Sequence, residues 1–290
     1  MKTSKGIILA GGSGSRLKPL TDIKNKHTFL IYDKPMIYYP LSVLMLMDIS
    51  DIQIISNDKT ISDFKKLLGN GSKFGINLSY KKQKRPNGIA EAFKISKEFL
   101  RNSNKNVLIL GDNFFYGSEI QQTLSNINLN NEGCSILLYS VHNPYEFGNV
   151  VLNKKEEIVK IREKMKNNKN NFAITGIYFF DKDVVNKIKE IKPSKRGELE
   201  ITDLINLYLK EKKLKYKVLG RGNIWFDMGT VESINEVNSL IPAIQKRNNL
   251  AIANIHEIAF IKKLISRKHL GKLVKNFDSP YYNYIKNKYF

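Results

Sequence analysis

Short apolar runs rich in β-branched residues alternate with helix-like segments through the first half of this 290-residue chain. The strand-like runs cover residues 5–10, 52–56, 76–80 and 106–112. Strands that alternate with helices pair in parallel, because each return to the sheet needs a crossover connection. A parallel sheet is covered by helices on both faces. The alternation therefore predicts a three-layer α/β fold.

The second half of the chain is richer in strands. Its strand-like runs cover residues 134–141, 149–153, 157–163, 172–180, 215–220 and 223–227. This predicts a mixed sheet that is still mostly parallel. After Gly229 the pattern is mainly helical to about residue 275. We expect a core at residues 1–230 and a helical C-terminal annex at residues 231–290, packed together as a single structural domain.

Composition excludes several classes of protein. With 42% hydrophobic residues the chain can bury a sizeable core, yet no apolar run reaches the roughly 18 residues of a membrane span. The apolar stretch near the first residue is too short for a signal peptide. Cys134 is the single cysteine, so no internal disulfide can form. These features predict a cytoplasmic protein.

The chain is strongly basic. It has 48 Lys and Arg against 27 Asp and Glu, a net charge of +21. A polyanionic partner is one interpretation of this charge, and cations scattered over solvated surfaces are the other. Basic runs such as residues 81–85 and 286–288 lack interleaved aromatic residues and any nucleic-acid-binding module. The second interpretation is favoured, so no nucleic acid is expected, although the charge would also attract phosphorylated substrates.

The stretch GIILAGGSGSRL, residues 6–17, passes from a predicted strand directly into a glycine-rich loop. It is not a G-x-G-x-x-G dinucleotide motif, because Leu17 stands at the third glycine, and it lacks the Lys-Ser or Lys-Thr pair of a P-loop. Small residues let backbone N–H groups close on phosphate oxygens, and Arg16 adds a guanidinium group. The loop follows a strand, where open α/β sheets bind their ligands. It therefore predicts a phosphate site.

Two aspartates are also expected at the ends of strands. Asp112 follows the apolar run LILG, and Asp227 closes the run IWF. Each alone is most often a cap, but two carboxylates beside a phosphate loop are the parts of a Mg²⁺-dependent phosphoryl- or nucleotidyl-transfer site. Nothing local distinguishes Lys26 from a solvated surface lysine, and the four histidines lack zinc-ligand spacing. The residues predict a Mg²⁺ enzyme that handles a nucleotide or a sugar phosphate.

The same residues carry a resemblance to a known family. The motifs are GIILAGGSGSRLKPLT (6–21), YDKPMIYYPLSVLML (32–46), RGELEITD (196–203) and GRGNIWFDMGT (220–230). They resemble the sugar nucleotidyltransferases, and among them the glucose-1-phosphate thymidylyltransferases, over essentially the whole chain. The resemblance implies a Rossmann-like sheet of the nucleotide-diphospho-sugar transferase type. It also implies Mg²⁺-dependent, in-line transfer of a thymidylyl group from dTTP to glucose 1-phosphate, pyrophosphate release and a homotetramer.

The resemblance also implies roles for individual residues. Arg16, Lys26 and Lys164 match catalytic positions, and Asp112 and Asp227 match metal ligands. The matched nucleotide-binding positions are Gly11, Gly12, Ser13, Gly14, Ser15, Arg16, Lys26, Gln83 and Gly88. The matched sugar-phosphate positions are Gly148, Glu163, Lys164, Ile174 and Tyr178. Trp225 either lines the sugar site or is a core residue at a strand end.

Several alternatives stay open at this point. Thr28, Leu30 and Met228 depart from the family pattern near the expected site. UTP could replace dTTP, because Gln83 is expected to contact the base and not the sugar, and the sugar phosphate could be another one. A non-catalytic nucleotide-sugar sensor on the same fold is a further alternative. A sensor would not need the full set of charged residues, namely Arg16, Lys26, Asp112, Lys164 and Asp227.

Overall fold

The computed structural model describes residues 4–164 and 171–290. The strands are β1 (Ser4–Leu9), β2 (Leu30–Ile31), β3 (Lys34–Pro35), β4 (Asp51–Ser56), β5 (Asn77–Lys82), β6 (Lys105–Leu110), β7 (Asn113–Tyr116), β8 (Cys134–Ser140), β9 (Gly148–Leu152), β10 (Ile158–Glu163), β11 (Phe172–Asp181), β12 (Leu214–Val218) and β13 (Ile224–Asp227). The helices are α1 (Leu20–Ile23), α2 (Tyr38–Leu46), α3 (Asp58–Leu68), α4 (Glu91–Ile95), α5 (Lys97–Leu100), α6 (Ile120–Asn130), α7 (Val184–Lys187), α8 (Ile201–Lys210), α9 (Val231–Asn248), α10 (Ile255–Ile261), α11 (Arg267–Val274) and α12 (Pro280–Tyr289).

Within residues 4–164 and 171–290, the main sheet has nine strands. Its principal order is β10-β9-β11-β6-β1-β4-β5, with β8 joined to β11 and β12 joined to β8. Strand β1 pairs in parallel with both β4 and β6, whereas β11 is antiparallel to β6, β8 and β9. From all the pairings, β10 and β11 run antiparallel to the other seven described strands of this sheet. The predicted mixed, mostly parallel α/β fold is confirmed.

Alternation along β1 builds a core on each face of the sheet. Ile8 points to one face, where it joins a cluster with Leu44 of α2. Ile7 and Leu9 point to the other face and join Phe93 of α4. Successive side chains of a strand alternate between faces, so a wholly apolar strand must be covered on both. These two cores and the sheet between them make the three layers.

A separate two-stranded ribbon and the C-terminal helices complete the structure. Strand β13 pairs antiparallel with β7, outside the main sheet. Thr230 begins α9 with a capping box, and Val237 and Ile241 of this helix pack with Tyr39 of α2. The C-terminal residues 231–290 are therefore packed directly on the rest of the chain.

The final helix lies beyond the region that the sequence pattern marked as helical. The pattern ended near residue 275, but α12 continues to Tyr289. Pro280 starts this helix, where its missing N–H costs nothing, and Tyr281 and Ile285 are buried. The many aromatic and basic residues of this segment obscure the helical spacing of its two buried residues, Tyr281 and Ile285. Among the described residues, no helix is both long enough and apolar enough to cross a bilayer.

Candidate active site

The glycine-rich loop follows β1 directly and lines a cleft of about 370 Å³. Gly14 has a φ of 62°, a left-handed conformation that suits glycine, and it begins a tight 3₁₀ turn. Leu17 anchors the end of this turn in the core. Ser13 and Ser15 lie along the cleft with the loop backbone. The loop therefore presents small side chains and main-chain groups to a shared space, as expected of a phosphate site.

The Arg16 side chain extends from this loop over Gly229 toward Asp227. Its Nη2 lies 3.6 Å from Asp227 Oδ2, and half of the arginine side chain is exposed. Gly229 lies beneath the guanidinium group, and a Cβ atom there would collide with Arg16 and lie 2.9 Å from Asp227 Oδ1. The close approach of Arg16 to Asp227 therefore depends on a glycine at position 229.

Lys26 and Asp112 form an ion pair at the floor of the cleft, in which Lys26 Nζ donates to Asp112 Oδ2. Both residues are only 8% exposed. Lys26 begins a 3₁₀ turn held by Asn25, whose side chain accepts from the backbone N–H of His27. The expectation of a solvated surface lysine is wrong, because the carboxylate that allows this burial lies 86 residues further along the chain.

Asp227 also lies close to Asp112, but it belongs to a different sheet from the one that the sequence predicted. It was expected at the end of a strand of the open sheet, but β13 belongs to the two-stranded ribbon. In that ribbon Asp227 pairs with Asn113, and the backbone N–H of Met228 donates to the carbonyl of Asp112 at 2.8 Å. The ribbon register therefore brings the two aspartates side by side.

The charges in this cluster shift one another's protonation. Burial and the nearby Asp112 raise the pKa of Asp227 to about 6, against the opposing effect of Lys26 and Arg16. Burial also disfavours ionised Asp112, but Lys26 outweighs it and holds the pKa of Asp112 well below its usual range. Burial opposes the Lys26 ammonium as well, yet the two aspartates leave the pKa of Lys26 raised.

Gln83 and Gly88 also lie beside the glycine loop. Gln83 is 6% exposed and its Oε1 lies against Gly11, where any Cβ would collide with it. Gly88 has a φ of 102°, and a Cβ there would collide with the backbone of Leu199. Gly88 is thus required by its positive φ and by close backbone approach, whereas Gly11 lets the Gln83 side chain lie against the loop. Gln83 and Gly88 line the cleft together with Gly12 and Gly14 of the loop.

Of the residues matched to sugar-phosphate binding, Glu163 and Lys164 line the cleft, and Gly148 and Ile174 lie beside Glu163. A Cβ on Gly148 would lie 3.2 Å from Glu163 Oε2 and 3.8 Å from Ile174, so these three residues are adjacent. Burial raises the pKa of Glu163, with Glu200 adding to the shift. Lys164 adopts a φ of 50° after β10 and lines the cleft with Glu163. This part of the cleft therefore presents a carboxylate and an ammonium group side by side.

Tyr178 and Trp225 are placed behind the cleft surface. Tyr178 is 4% exposed, and burial raises its pKa together with the negative charges of Glu163, Asp227 and Asp112. Trp225 is 5% exposed, and its indole N–H donates to Asn113 Oδ1 at 2.6 Å. Its ring packs edge-on against Phe147 with centroids 5.1 Å apart. Of the two interpretations of Trp225, its position in the structure is that of a core residue.

Sequence reasoning missed the ion pair at the rim of the cleft. Arg196 contacts both oxygens of Glu200, with Nη2 at 2.9 and 3.0 Å, and both residues line the cleft with Glu198. The motif RGELEITD contains all three but gave no role for any of them. Asn113 was also missed, although it joins the ribbon to β11 by accepting from the backbone N–H of Gly176 at 3.0 Å.

The aspartate pair fits a divalent cation that prefers oxygen ligands. Asp227 Oδ1 is buried without a hydrogen-bond partner in the described part of the chain, which leaves an acceptor available for a cation. No group of three or more His, Cys, Asp or Glu side chains suited to a metal occurs among residues 4–164 and 171–290. Mg²⁺ is commonly held by one or two carboxylates, with water and substrate phosphates as the other ligands. The two-carboxylate set matches that pattern.

The fold and the cleft together define a class of protein. A mixed α/β sheet carries a glycine-rich loop after an inner strand, and Lys26 and Lys164 line the cleft with that loop. Asp112 pairs with Lys26, and Asp227 lies 3.6 Å from Arg16, so both carboxylates contact cations that line the cleft. This combination is typical of Rossmann-like enzymes that act on phosphorylated nucleotides.

Comparison with known proteins narrows that class. The nucleotidyl transferase family profile matches residues 5–243. The chain is 46% identical over 278 residues to the glucose-1-phosphate thymidylyltransferase of Neisseria meningitidis, covering 96% of each chain. It is 41% identical over 273 residues to that of Xanthomonas campestris, covering 94% of this chain and 92% of the relative. The chain therefore belongs to the nucleotidyl transferase family, and its sequence groups with the glucose-1-phosphate thymidylyltransferases.

Solved structures agree with this assignment. A crystal structure of a Bacillus anthracis protein, proposed to be a glucose-1-phosphate thymidylyltransferase and bound to sucrose, matches with a TM-score of 0.75 and 42% identity. That match covers 82% of this chain and 95% of the other. A UDP-glucose pyrophosphorylase bound to UDP-glucose matches with a TM-score of 0.71 at 23% identity, over 85% of this chain and 100% of the other, and shows the shared fold alone. The nucleotide-diphospho-sugar transferase fold expected from the sequence is confirmed.

Proposed function

We propose that this protein transfers a thymidylyl group from dTTP to glucose 1-phosphate and releases pyrophosphate. The observation that carries the proposal is that the glycine loop, Lys26, Glu163 and Lys164 line one cleft, and that Asp112 and Asp227 contact its cations Lys26 and Arg16. Curated relatives named glucose-1-phosphate thymidylyltransferase, at 35% to 46% identity, support these substrates.

In this proposal the chain catalyses the reaction by positioning its substrates and neutralising their charge. An oxygen of the sugar phosphate attacks the α-phosphorus of dTTP, and the bond from that phosphorus to the β-phosphate bridging oxygen breaks as the new bond forms. The residues of the glycine loop, Gly11 to Ser15, donate backbone N–H groups to the triphosphate, and Arg16 pairs with the departing pyrophosphate. Lys26 and Lys164 offset charge on the nucleotide and on the sugar phosphate. Holding two reactants in line supplies a large part of the rate gain in such reactions.

The sugar-binding end is proposed to fix the acceptor by its hydroxyl groups and its phosphate. Glu163 accepts hydrogen bonds from sugar hydroxyls, while Gly148 leaves room for the sugar ring beside Ile174. Tyr178 and Trp225 support this wall from behind, since both side chains are buried.

Mg²⁺ is the proposed cofactor, with Asp112 and Asp227 as its protein ligands. When bound, it would withdraw charge from the phosphates around the reacting phosphorus. In the structure Lys26 neutralises Asp112, so the ammonium group also stabilises the paired carboxylates before substrate binds. The free Oδ1 of Asp227 supports this assignment.

Two alternatives on the same fold are tested along with the main proposal. UTP could replace dTTP, because Gln83 contacts the base in this proposal and no proposed contact involves the 2′ position of the nucleotide. Another sugar 1-phosphate could replace glucose 1-phosphate, because the residues between 147 and 178 do not specify a pattern of sugar hydroxyls. A non-catalytic nucleotide-sugar sensor would bind these compounds without turnover. The charged groups that line the cleft, Arg16, Lys26 and Lys164, favour catalysis over sensing.

The remaining organisation of the protein is proposed from the family resemblance. We infer that residues 1–230 form the catalytic core and residues 231–290 a helical annex of the same structural domain. We also propose a cytoplasmic homotetramer with a second nucleotide-sugar site at a subunit interface to which the annex contributes. A cavity of about 410 Å³ lined by residues of α2, α6 and α10 supports such a site. Light scattering of the purified chain tests the tetramer.

The experiment for the proposed function follows both products by ³¹P NMR. The protein is incubated with dTTP, glucose 1-phosphate and Mg²⁺, and again after chelation of the metal. We expect dTDP-glucose and pyrophosphate in equal amounts only when Mg²⁺ is present. Binding of both substrates without any product would instead support the sensor.

A further inference from the structure

The side-chain amide of Gln83 is held in one orientation by a residue behind the cleft. Gln83 Nε2 donates to Glu91 Oε2 at 2.8 Å and to the carbonyl oxygen of Gly88 at 3.4 Å. The other carboxylate oxygen, Glu91 Oε1, accepts from the side-chain amide of Asn87 at 2.9 Å. Both oxygens of Glu91 are therefore engaged with amide donors.

The chemistry of these partners leaves the Gln83 amide no second orientation of equal stability. A carboxylate and a backbone carbonyl accept hydrogen bonds and cannot donate them, so both must face the NH₂ end of the amide. The carbonyl end, Oε1, is then turned toward the glycine loop, where it lies against Gly11. Gln83 thus commits its donors to the protein and presents its acceptor at the cleft.

Glu91 is well placed to hold this orientation rigidly. It is the first residue of α4, and the segment before it is pinned to Leu199. The backbone N–H of Leu199 donates to Asn87 at 2.7 Å, and that of Ala90 donates to Leu199 at 3.1 Å. Contacts that determine specificity need such support, because a loosely held amide could offer either end to a ligand.

We propose that Glu91 is a positioning residue: it orients Gln83 so that this side chain can accept a hydrogen bond from the pyrimidine edge but cannot donate one. This inference rests on the proposed function, in which Gln83 contacts the base. Thymine and uracil carry a hydrogen on N3 and can donate to Gln83 Oε1, whereas N3 of cytosine is itself an acceptor and would face another lone pair. Glu91 therefore sets the choice of thymine and uracil over cytosine, and it does not distinguish thymine from uracil.

The test compares binding of dTTP and dCTP, which share one sugar, by titration calorimetry in the presence of Mg²⁺, together with kcat and KM for glucose 1-phosphate turnover. The variants are Glu91→Ala and Glu91→Ser, both too short to reach Gln83, and Glu91→Gln, whose carbonyl can still accept from it. Glu98→Ala is the matched control, since Glu98 is an exposed glutamate on the next helix, α5. Two short variants are used so that one that fails to fold does not end the test.

We expect discrimination between dTTP and dCTP to be lost when the side chain at position 91 cannot accept a hydrogen bond from Gln83. Glu91→Ala and Glu91→Ser lower the preference for dTTP over dCTP about tenfold, the worth of one well-placed hydrogen bond, with kcat nearly unchanged. Glu91→Gln and Glu98→Ala keep the wild-type preference. A wild-type preference in the short variants overturns the inference. Absence of turnover in the wild type would overturn the proposed function alone, because the binding preference is measured without catalysis.

Discussion

Lys26 donates a hydrogen bond to Asp112 at the floor of the cleft, with both side chains almost wholly buried. Each depends on the other, since a buried charge without a partner is strongly unfavourable. The same pair lies beside Asp227 and the glycine loop, so one interaction links the stability of the cleft floor to its proposed chemistry.

Replacing Asp112 with asparagine removes the charge that Lys26 neutralises and one proposed metal ligand. We expect pyrophosphate release to fall by about 100-fold or more, and the midpoint of thermal unfolding to fall as well because Lys26 loses its partner. Asp58→Asn is the control, since Asp58 forms an exposed ion pair with Lys82 and neither residue lines the cleft. Equal effects of the two substitutions would contradict this account.

Gly229→Ala tests whether the approach of Arg16 to Asp227 matters for the triphosphate. The added Cβ would displace the Arg16 guanidinium group, so we expect kcat/KM for dTTP to fall about tenfold, the effect of a weakened charged hydrogen bond. Gly220→Ala is a matched control from the same region, where a Cβ meets nothing within 4 Å. The prediction fails if both alanine variants have the kinetics of the wild type.

Trp225→Phe separates the two interpretations of this residue. The indole N–H donates to buried Asn113, so its loss should lower the free energy of unfolding by about 1–3 kcal/mol. Because the ring is 5% exposed, KM for the sugar phosphate should change little. Denaturant unfolding and steady-state kinetics measure the two effects. Unchanged stability with a large rise in that KM would instead place the indole in the sugar site.

His256 makes the annex sensitive to acid. Burial, with Lys73 adding to it, lowers its pKa from 6.5 to about 3, and its Nδ1 lies 3.0 Å from the hydroxyl of Tyr281. Between these two pH values the unfolded state binds the proton and the folded state does not, so stability falls as pH falls, by at most about 1.4 kcal/mol per pH unit.

His256→Gln cannot titrate, so its stability should fall less steeply over the same range. Urea unfolding at a series of pH values from 7 to 4 gives both curves, and their difference isolates His256 from the other titrating groups. Parallel curves for the wild type and the variant would show that His256 does not contribute.

Sequence patterns predicted those parts of the molecule that local chemistry determines. The strand and helix alternation was sufficient for the three-layer fold, and the glycine loop and Asp112 follow their strands as expected. The partner strand of β13 could not be predicted, since β7 is a four-residue segment far away in sequence. Pairing between short distant segments leaves no periodic signal, so the position of Asp227 on a separate ribbon was missed.

Burial of charge was the other feature that local sequence could not reveal. Lys26 lies in a polar stretch, and only the fold brings Asp112 to it. The same holds for the orientation of Gln83, which depends on a helix that begins eight residues later. Family resemblance supplied expected roles for Lys26 and Gln83, but the interactions that position them became visible only in the structure.

The most direct test of the proposed thymidylyl transfer is to measure pyrophosphate release for every combination of nucleotide and sugar phosphate. dTTP, UTP, CTP, ATP and GTP are each combined with glucose 1-phosphate and related sugar 1-phosphates in the presence of Mg²⁺, using the wild type and Asp112→Asn. We expect the fastest release of pyrophosphate with dTTP and glucose 1-phosphate, and loss of that release in Asp112→Asn. A folded wild-type protein that binds nucleotide but releases no pyrophosphate with any pair would contradict the proposed function.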